Sequence, residues 1–292
     1  MKCKQTLNTV LVFIICIISI TSTISVSDCF SQHRFKTIRD TTKYNEQNLD
    51  IKLFRKFNNI KSSFLKSVVN ITNESVIPLS VILPAGLYIY ARAENNYNDE
   101  DAATLLALSE VTNLSVTQAL KYIVKRNRPF RTLNNVNLYD TSTVENTYSF
   151  PSGHTSQSFA IATSLTLSYP DKPFLITGLY TYSLIVSLGR IYWGVHYPSD
   201  VLSGMLIGAG SAALIYSLRK PLIQTKNNLF NQKDRNNSYH NNINSALVLF
   251  SVIGTDAVNY FFLNSKNSVL KKSRVNIMSS GSNNFLNFNF NF

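Results

Sequence analysis

Three short runs of residues stand in fixed order between positions 121 and 200. They are Lys121 with Arg128-Pro129, then Pro151-Ser152-Gly153-His154, then Arg190 with His196 and Asp200. Together they offer three cations, one carboxylate, a Ser-Gly turn and two of the chain's 4 histidines. Arginine suits a forked hydrogen bond to oxyanion edges, while lysine acts as a point charge. A Pro-Ser-Gly run reads as a helix start, whose free N–H groups attract an anion, and Gly153 lets an oxygen come close to the backbone. His154 stands beside that anion, placed to hand a proton to a leaving oxygen. Asp200 lies within reach of His196; a carboxylate on one imidazole nitrogen leaves the other free to attack. Arg190 adds positive charge where charge builds in a transition state. The pattern is equipment for holding a tetrahedral oxyanion and attacking it with an imidazole. Each run alone has a plainer reading: a basic patch against lipid headgroups, a capped helix with a chance histidine, or a structural His–Asp pair.

Taken together, the three runs resemble those of the type 2 phosphatidic acid phosphatase superfamily. That superfamily includes membrane lipid phosphatases, bacterial non-specific acid phosphatases and vanadium haloperoxidases, and the likeness covers about residues 76–218. By that resemblance His196 is the nucleophile and forms a phosphohistidine, His154 protonates the leaving alcohol and later activates water, and Asp200 orients His196. Lys121, Arg128, Ser152, Gly153 and Arg190 would bind the phosphate. One departure stands out, since the family usually has Ser before the arginine of the last motif and this chain has Gly189. No metal and no cofactor are implied, because the motif histidines lie far apart, no carboxylates cluster, and three cations neutralise the anion.

The elements that must carry these residues read as helices. Apolar residues from Asn48 to Val69 recur at helical spacing and predict one amphipathic lead-in helix. Val76–Ala91 is strongly apolar, but Pro78 and Pro84 interrupt it, leaving about sixteen residues where a bilayer span needs about twenty. A helix is expected from Ala102 to Asn127, opened by Asp99–Asp101 and stopped before Pro129. On it Lys121, Lys125 and Arg128 share one face. A polar loop over 130–149 follows. The next helices are expected from Ser152, acting as cap, to Tyr169, from Phe174 to Leu188, and from Pro198 to Leu218. In the last of these, Gly204, Gly208 and Gly210 permit close contacts. The expected fold is all-α, a bundle of five to six helices in residues 48–218. A polar linker (219–245) and a C-terminal extension (246–292) follow. The alternating end, Phe285 to Phe292, reads as a strand, with a short hairpin or an unstructured tail as its readings.

Composition sets the remaining bounds. The chain has 292 residues, 45% of them hydrophobic and only 15% charged, which favours a helical protein in or near a membrane. Its net charge of +12 suits anionic surfaces. Nucleic acid is not an expected partner, because the basic residues form no stripe interleaved with aromatics. Residues 1–27 read as a signal peptide, or an N-terminal anchor: Lys2 and Lys4, an apolar run from Leu7 to Ile20, and small residues at Ser25-Val26-Ser27. Cleavage there would leave Cys29 alone of the 3 cysteines, so the fold cannot rest on disulfides. The expected protein is exported, periplasmic or membrane-associated, with its site outside the cytoplasm. Its expected activity is a metal-independent phosphatase acting on a phosphorylated lipid or a small phosphoester. A soluble periplasmic acid phosphatase, a vanadium-dependent haloperoxidase and a non-catalytic phosphate-binding protein are the alternatives.

Overall fold

In the computed structural model the described residues are 48–138, 147–230, 274–280 and 283–289. The expected leader, residues 1–27, lies outside them. Two units divide the chain at Arg235, and the described residues of the first are all-α.

The lead-in region folds as two helices rather than one. Helix α1 (Leu49–Asn58) opens with the Asn48 side chain accepting from Asp50 N–H at 2.9 Å. Helix α2 (Ser63–Ala93) starts afresh where Ser62 caps Leu65 N–H at 3.2 Å, so a polar cap outweighs the continuous apolar spacing. α2 is 31 residues long and runs through both Pro78 and Pro84, which corrects the expected interruption. A proline removes one helical N–H and crowds the carbonyl four residues earlier. The carbonyls left without that partner are Glu74 O and Ser80 O, and the helix continues past both. Membrane helices tolerate proline, because packing and local adjustment keep the rest of the helical hydrogen bonds.

Helix α3 (Tyr97–Val124) begins at Asn96, whose side chain accepts from the N–H groups of Asn98 and Asp99. It stops three residues short of the expected end, because Lys125 takes the left-handed conformation (φ 50°) and closes the helix. Arg128 therefore caps a separate short helix, α4 (Pro129–Thr132). Lys121, Lys125 and Arg128 do not share a helical face. Helices α5 (Gly153–Ser168), α6 (Pro173–Tyr192) and α7 (Pro198–Ser217) complete the bundle, followed by α8 (Arg219–Leu229).

α5 is the axis of the bundle and packs against α2, α3, α6 and α7. Its Ser, Thr and Ala side chains are small enough for four neighbours to approach, and nearly all are buried. Their hydroxyls are satisfied locally, as in Thr166 Oγ1 to Ala162 O at 2.7 Å. Two glycines of α7 permit the closest approach. A Cβ on Gly204 would stand 2.6 Å from Ser152 O, and one on Gly208 would collide with Ser156 O. Gly210 faces open space and takes no part in this contact.

α2, α6 and α7 are each long and apolar enough to cross a membrane. Ile71, Ile77, Ile82 and Ile89 of α2 are exposed, as are Leu184 and Leu188 of α6. The chain is membrane-associated, and its spans are longer than the prolines suggest. α8 occupies the start of the expected linker and packs on α3 and α7. The second unit (Asn236–Phe292) contains β1 (Arg274–Ser280) and β2 (Asn283–Asn289), an antiparallel pair in register from Arg274 with Asn289 to Ser280 with Asn283.

Candidate active site

All eight residues singled out in the sequence gather at one end of the bundle, where α3 and α6 end and α5 and α7 begin. Lys121, in the last turn of α3, donates to Tyr148 O at 3.0 Å and Pro151 O at 2.8 Å. Burial lowers its pKa to about 7, helped by Arg128 and Arg190 and opposed by Asp200. Arg128 is 3% exposed. Its guanidinium donates to Thr147 O at 3.1 Å, Thr147 Oγ1 at 2.6 Å and Val195 O at 2.9 Å, and meets His196 Nε2 at 3.1 Å. Burial lowers its pKa to about 10, with Arg131 adding to the shift and Asp200 opposing it.

The turn before α5 differs in detail from the expected cap. Ser152 occupies the capping position without a side-chain bond to a helical N–H. Its hydroxyl instead pairs with Thr155 Oγ1 at 3.0 Å, and its backbone N–H donates to Asp200 O at 3.0 Å, tying the start of α5 to that of α7. Gly153 opens α5, and the nearest atom to a Cβ built there is Thr117 Cγ2 at 4.0 Å. His154 follows. Burial holds its pKa well below the ordinary imidazole value, and the charges of Arg190, His196, Lys121 and Arg128 push the same way. Five groups from three separate motifs thus act on one another across one site.

Arg190 is 2% exposed and donates to Asn73 Oδ1 at 3.3 Å. Gly189 explains how α2 reaches it. A Cβ there would collide with Asn73 Nδ2 and stand 2.8 Å from Val69 Cγ1. The absence of a side chain at 189 is the space in which Asn73 sits. His196 lies in the turn between α6 and α7 and is 2% exposed. Its Nδ1 is 3.7 Å from Asp200 Oδ2, in ion-pair range but longer than a hydrogen bond. A guanidinium has no acceptor, so its contact requires the imidazole Nε2 to offer its lone pair and Nδ1 to carry the proton. Burial lowers the pKa of His196, with Arg128, Arg190 and Lys121 adding to the shift, which keeps that lone pair available in mild acid.

Asp200 is fully buried. Its Oδ2 accepts from Tyr197 N–H at 2.8 Å and from the Ser149 hydroxyl. Its Oδ1 accepts from Arg126 Nη1 at 2.6 Å. Arg126, Ser149, Asn73 and Asp50 are the residues that sequence reasoning missed. Arg126 lies inside the first motif, two positions before Arg128, and its charge was the only signal. Nothing in the local sequence marks Asp50 or Asn73.

The arrangement gathers buried cations, a helix start and two imidazoles at one place. Residues 102–224 match the PAP2 superfamily. The undecaprenyl-diphosphatase of Sulfolobus acidocaldarius is 35% identical over 104 residues, which is 36% of this chain and 48% of that one. The bacitracin transport permease protein BcrC of Bacillus licheniformis is 31% identical over 174 residues, 58% of this chain and 79% of its own. Phosphatidylglycerophosphatase B of Bacillus subtilis is 28% identical over 143 residues, 46% of this chain and 62% of its own. The chain thus spans about half the length of the archaeal relative (48%). Motifs, helical frame and relatives agree, and the chain belongs to the PAP2 superfamily.

Proposed function

We propose that the chain is a metal-independent phosphatase that hydrolyses a phosphomonoester or diphosphate borne by a lipid, through a phosphohistidine on His196. The observation that carries this reading is the Arg128–His196 contact of 3.1 Å, which leaves an imidazole lone pair turned toward a cation that would bind phosphate. An incoming phosphate takes the Arg128 donors, and Lys121 and Arg190 share its charge. Nε2 then forms a bond to phosphorus as the ester P–O bond breaks. His154 gives its proton to the leaving oxygen. That proton arrives with the substrate: burial, and then the surrounding cations, hold His154 neutral, and a bound phosphate monoanion sets negative charge beside the ring as it passes its proton over. In the second step His154, now neutral, takes a proton from water as water attacks phosphorus. The Nε2–P bond breaks and inorganic phosphate leaves.

A lipid substrate is supported by the three spans and their exposed apolar faces. It is also supported by relatives named undecaprenyl-diphosphatase and phosphatidylglycerophosphatase B. The positively charged start of the chain supports a site on the non-cytoplasmic side.

The test is a substrate panel on purified full-length protein in vesicles, comparing isoprenyl diphosphate and phosphatidate with a soluble aryl phosphate. The lipids should be preferred, orthovanadate should inhibit, chelator should have no effect, and His196→Ala should lose at least ~10³-fold in kcat. An acid-labile phosphoprotein should be trapped from wild type only. Activity lost in chelator and restored by a divalent ion would overturn the mechanism. Equal use of the aryl phosphate would favour a non-specific acid phosphatase.

A further inference from the structure

Asp50 is the second residue of α1, far outside the segment that matches the superfamily. Its Oδ1 accepts from Ser199 N–H at 2.9 Å, in the first turn of α7. Its Oδ2 accepts from the Ser199 hydroxyl at 2.6 Å and from Arg126 Nη2 at 2.6 Å. Arg126 Nη1 in turn donates to Ser199 Oγ and to Asp200 Oδ1, each at 2.6 Å. One guanidinium thus bridges two carboxylates, and one of these faces the imidazole at 196. The bridge is rigidly seated. The Arg126 guanidinium stacks 4.0 Å from the Tyr197 ring centroid, and that ring leans on Phe54 of α1 at 5.8 Å. Ile51 and Phe54 are buried with Leu133, Ile191, Tyr197 and Val201.

A residue that only capped α7 would need no more than the Ser199 N–H. The second arm, to a guanidinium already committed to Asp200, makes Asp50 part of a charge relay. We propose that Asp50 and Arg126 are positioning residues for the reaction: they fix the Asp200 carboxylate against His196 and balance its charge. This rests on the phosphatase reading above. Among the described residues, five groups besides the relay face His196: Arg128, Arg190, Lys121, His154 and Asp200. The relay adjusts how much of the Asp200 negative charge reaches the ring, and therefore how well the ring carries positive charge when phosphorylated.

The sign of the effect distinguishes the two members. Removing the Asp50 charge leaves Arg126 less neutralised, so His196 should bind a proton less readily. Removing the Arg126 charge frees that of Asp200, so His196 should bind a proton more readily. The experiment measures kcat, KM and the pH profile of kcat/KM for wild type, Asp50→Asn, Arg126→Lys and Arg126→Gln, well below the melting temperature of each. Asp50→Asn and Arg126→Gln should each lose about tenfold in kcat with KM within about twofold. The acid limb should move to lower pH in Asp50→Asn and to higher pH in Arg126→Gln. Arg126→Lys, which keeps the charge without the fork, should recover part of the loss and a near-native limb. If Asp50→Asn does not accumulate as folded protein, the Arg126 pair carries the same test through its limb and its partial rescue. Limbs that stay fixed, or that move in the same direction, would overturn the proposal and leave a purely structural bracket. Loss of the phosphatase reading itself has a different signature, since wild type and His196→Ala would then be equally inactive.

Discussion

The two ends of α3 hold buried charge in opposite ways. At the start of the helix, Lys226 of α8 donates to Glu100 at 3.0 Å and to Asp101 at 2.6 Å, and Arg92 of α2 donates to Glu100 at 3.1 Å. Acids at the positive end of the helix dipole meet cations from two other helices, and the charges close on themselves. At the far end, Lys121 and Arg128 bond carbonyl and hydroxyl oxygens and an imidazole, and no carboxylate of the described residues takes part in their hydrogen bonds. Among the described residues the nearby acid is Asp200, already engaged by Arg126, Tyr197 and Ser149. The first cluster is neutralised by the chain and fastens α8 to the bundle. Among the described residues, the second brings Lys121, Arg128 and Arg190 together with Asp200 as the acid beside them, leaving an excess of positive charge. Pairing marks a structural cluster, and imbalance marks a binding site.

Substitutions should separate the two ends by phenotype. The largest expected effect is on stability. Lys226→Met leaves two buried carboxylates without their ammonium and should cost about 3–5 kcal/mol of unfolding free energy, with KM unchanged in the protein that remains folded. A detergent-solubilised melting curve beside steady-state kinetics checks it. At the site end the order reverses. Arg128→Ala should lower kcat/KM by about 10²–10³, measured well below its melting temperature, which falls as the bonds to Thr147 and Val195 are lost. Gly189→Ser should cost about tenfold in kcat/KM by displacing Asn73 from Arg190, and Asn73→Ala added to it should restore part of the loss. A double-mutant cycle reads that coupling; simple additivity would show that the two positions do not share space in solution. The smallest effect concerns pH. Lys121 is charged below about 7 and neutral above it, so phosphate capture by the free protein should weaken as pH rises through that value. Lys121→Arg should move this alkaline limb of kcat/KM upward by one unit or more, since arginine stays protonated. A wild-type limb that stays flat to pH 9 would place the Lys121 charge elsewhere in the balance.

Much of the site was legible because its chemistry is local in sequence. Pro151-Ser152-Gly153-His154 marks a helix start by residue type alone, and α5 begins within it. Pro198 and Asp200 mark the next, and α7 begins there. Where the reading failed, a local rule met a longer-range force. Uninterrupted apolar spacing predicted one helix across residues 59–62, but the Ser62 cap won. Pro78 and Pro84 predicted a break, but a helix facing apolar surroundings keeps its remaining hydrogen bonds rather than expose them. The shared face of Lys121 and Arg128 failed on one backbone torsion, the left-handed Lys125, which no side-chain pattern announces.

What the sequence determined by itself is the inventory: which cations, imidazoles and carboxylate stand in the motifs, and which helices begin beside them. Those follow from residue type and short-range spacing, and both are written along the chain. What only the tertiary structure decided is the company each group keeps. Asp50 meets Arg126 across 76 positions, and Arg190 meets Asn73 across 117. Such contacts depend on how whole helices dock, and docking is fixed by the shape of buried surfaces summed over the bundle, such as the Gly204 and Gly208 face of α7 against α5. No short stretch of sequence contains that sum.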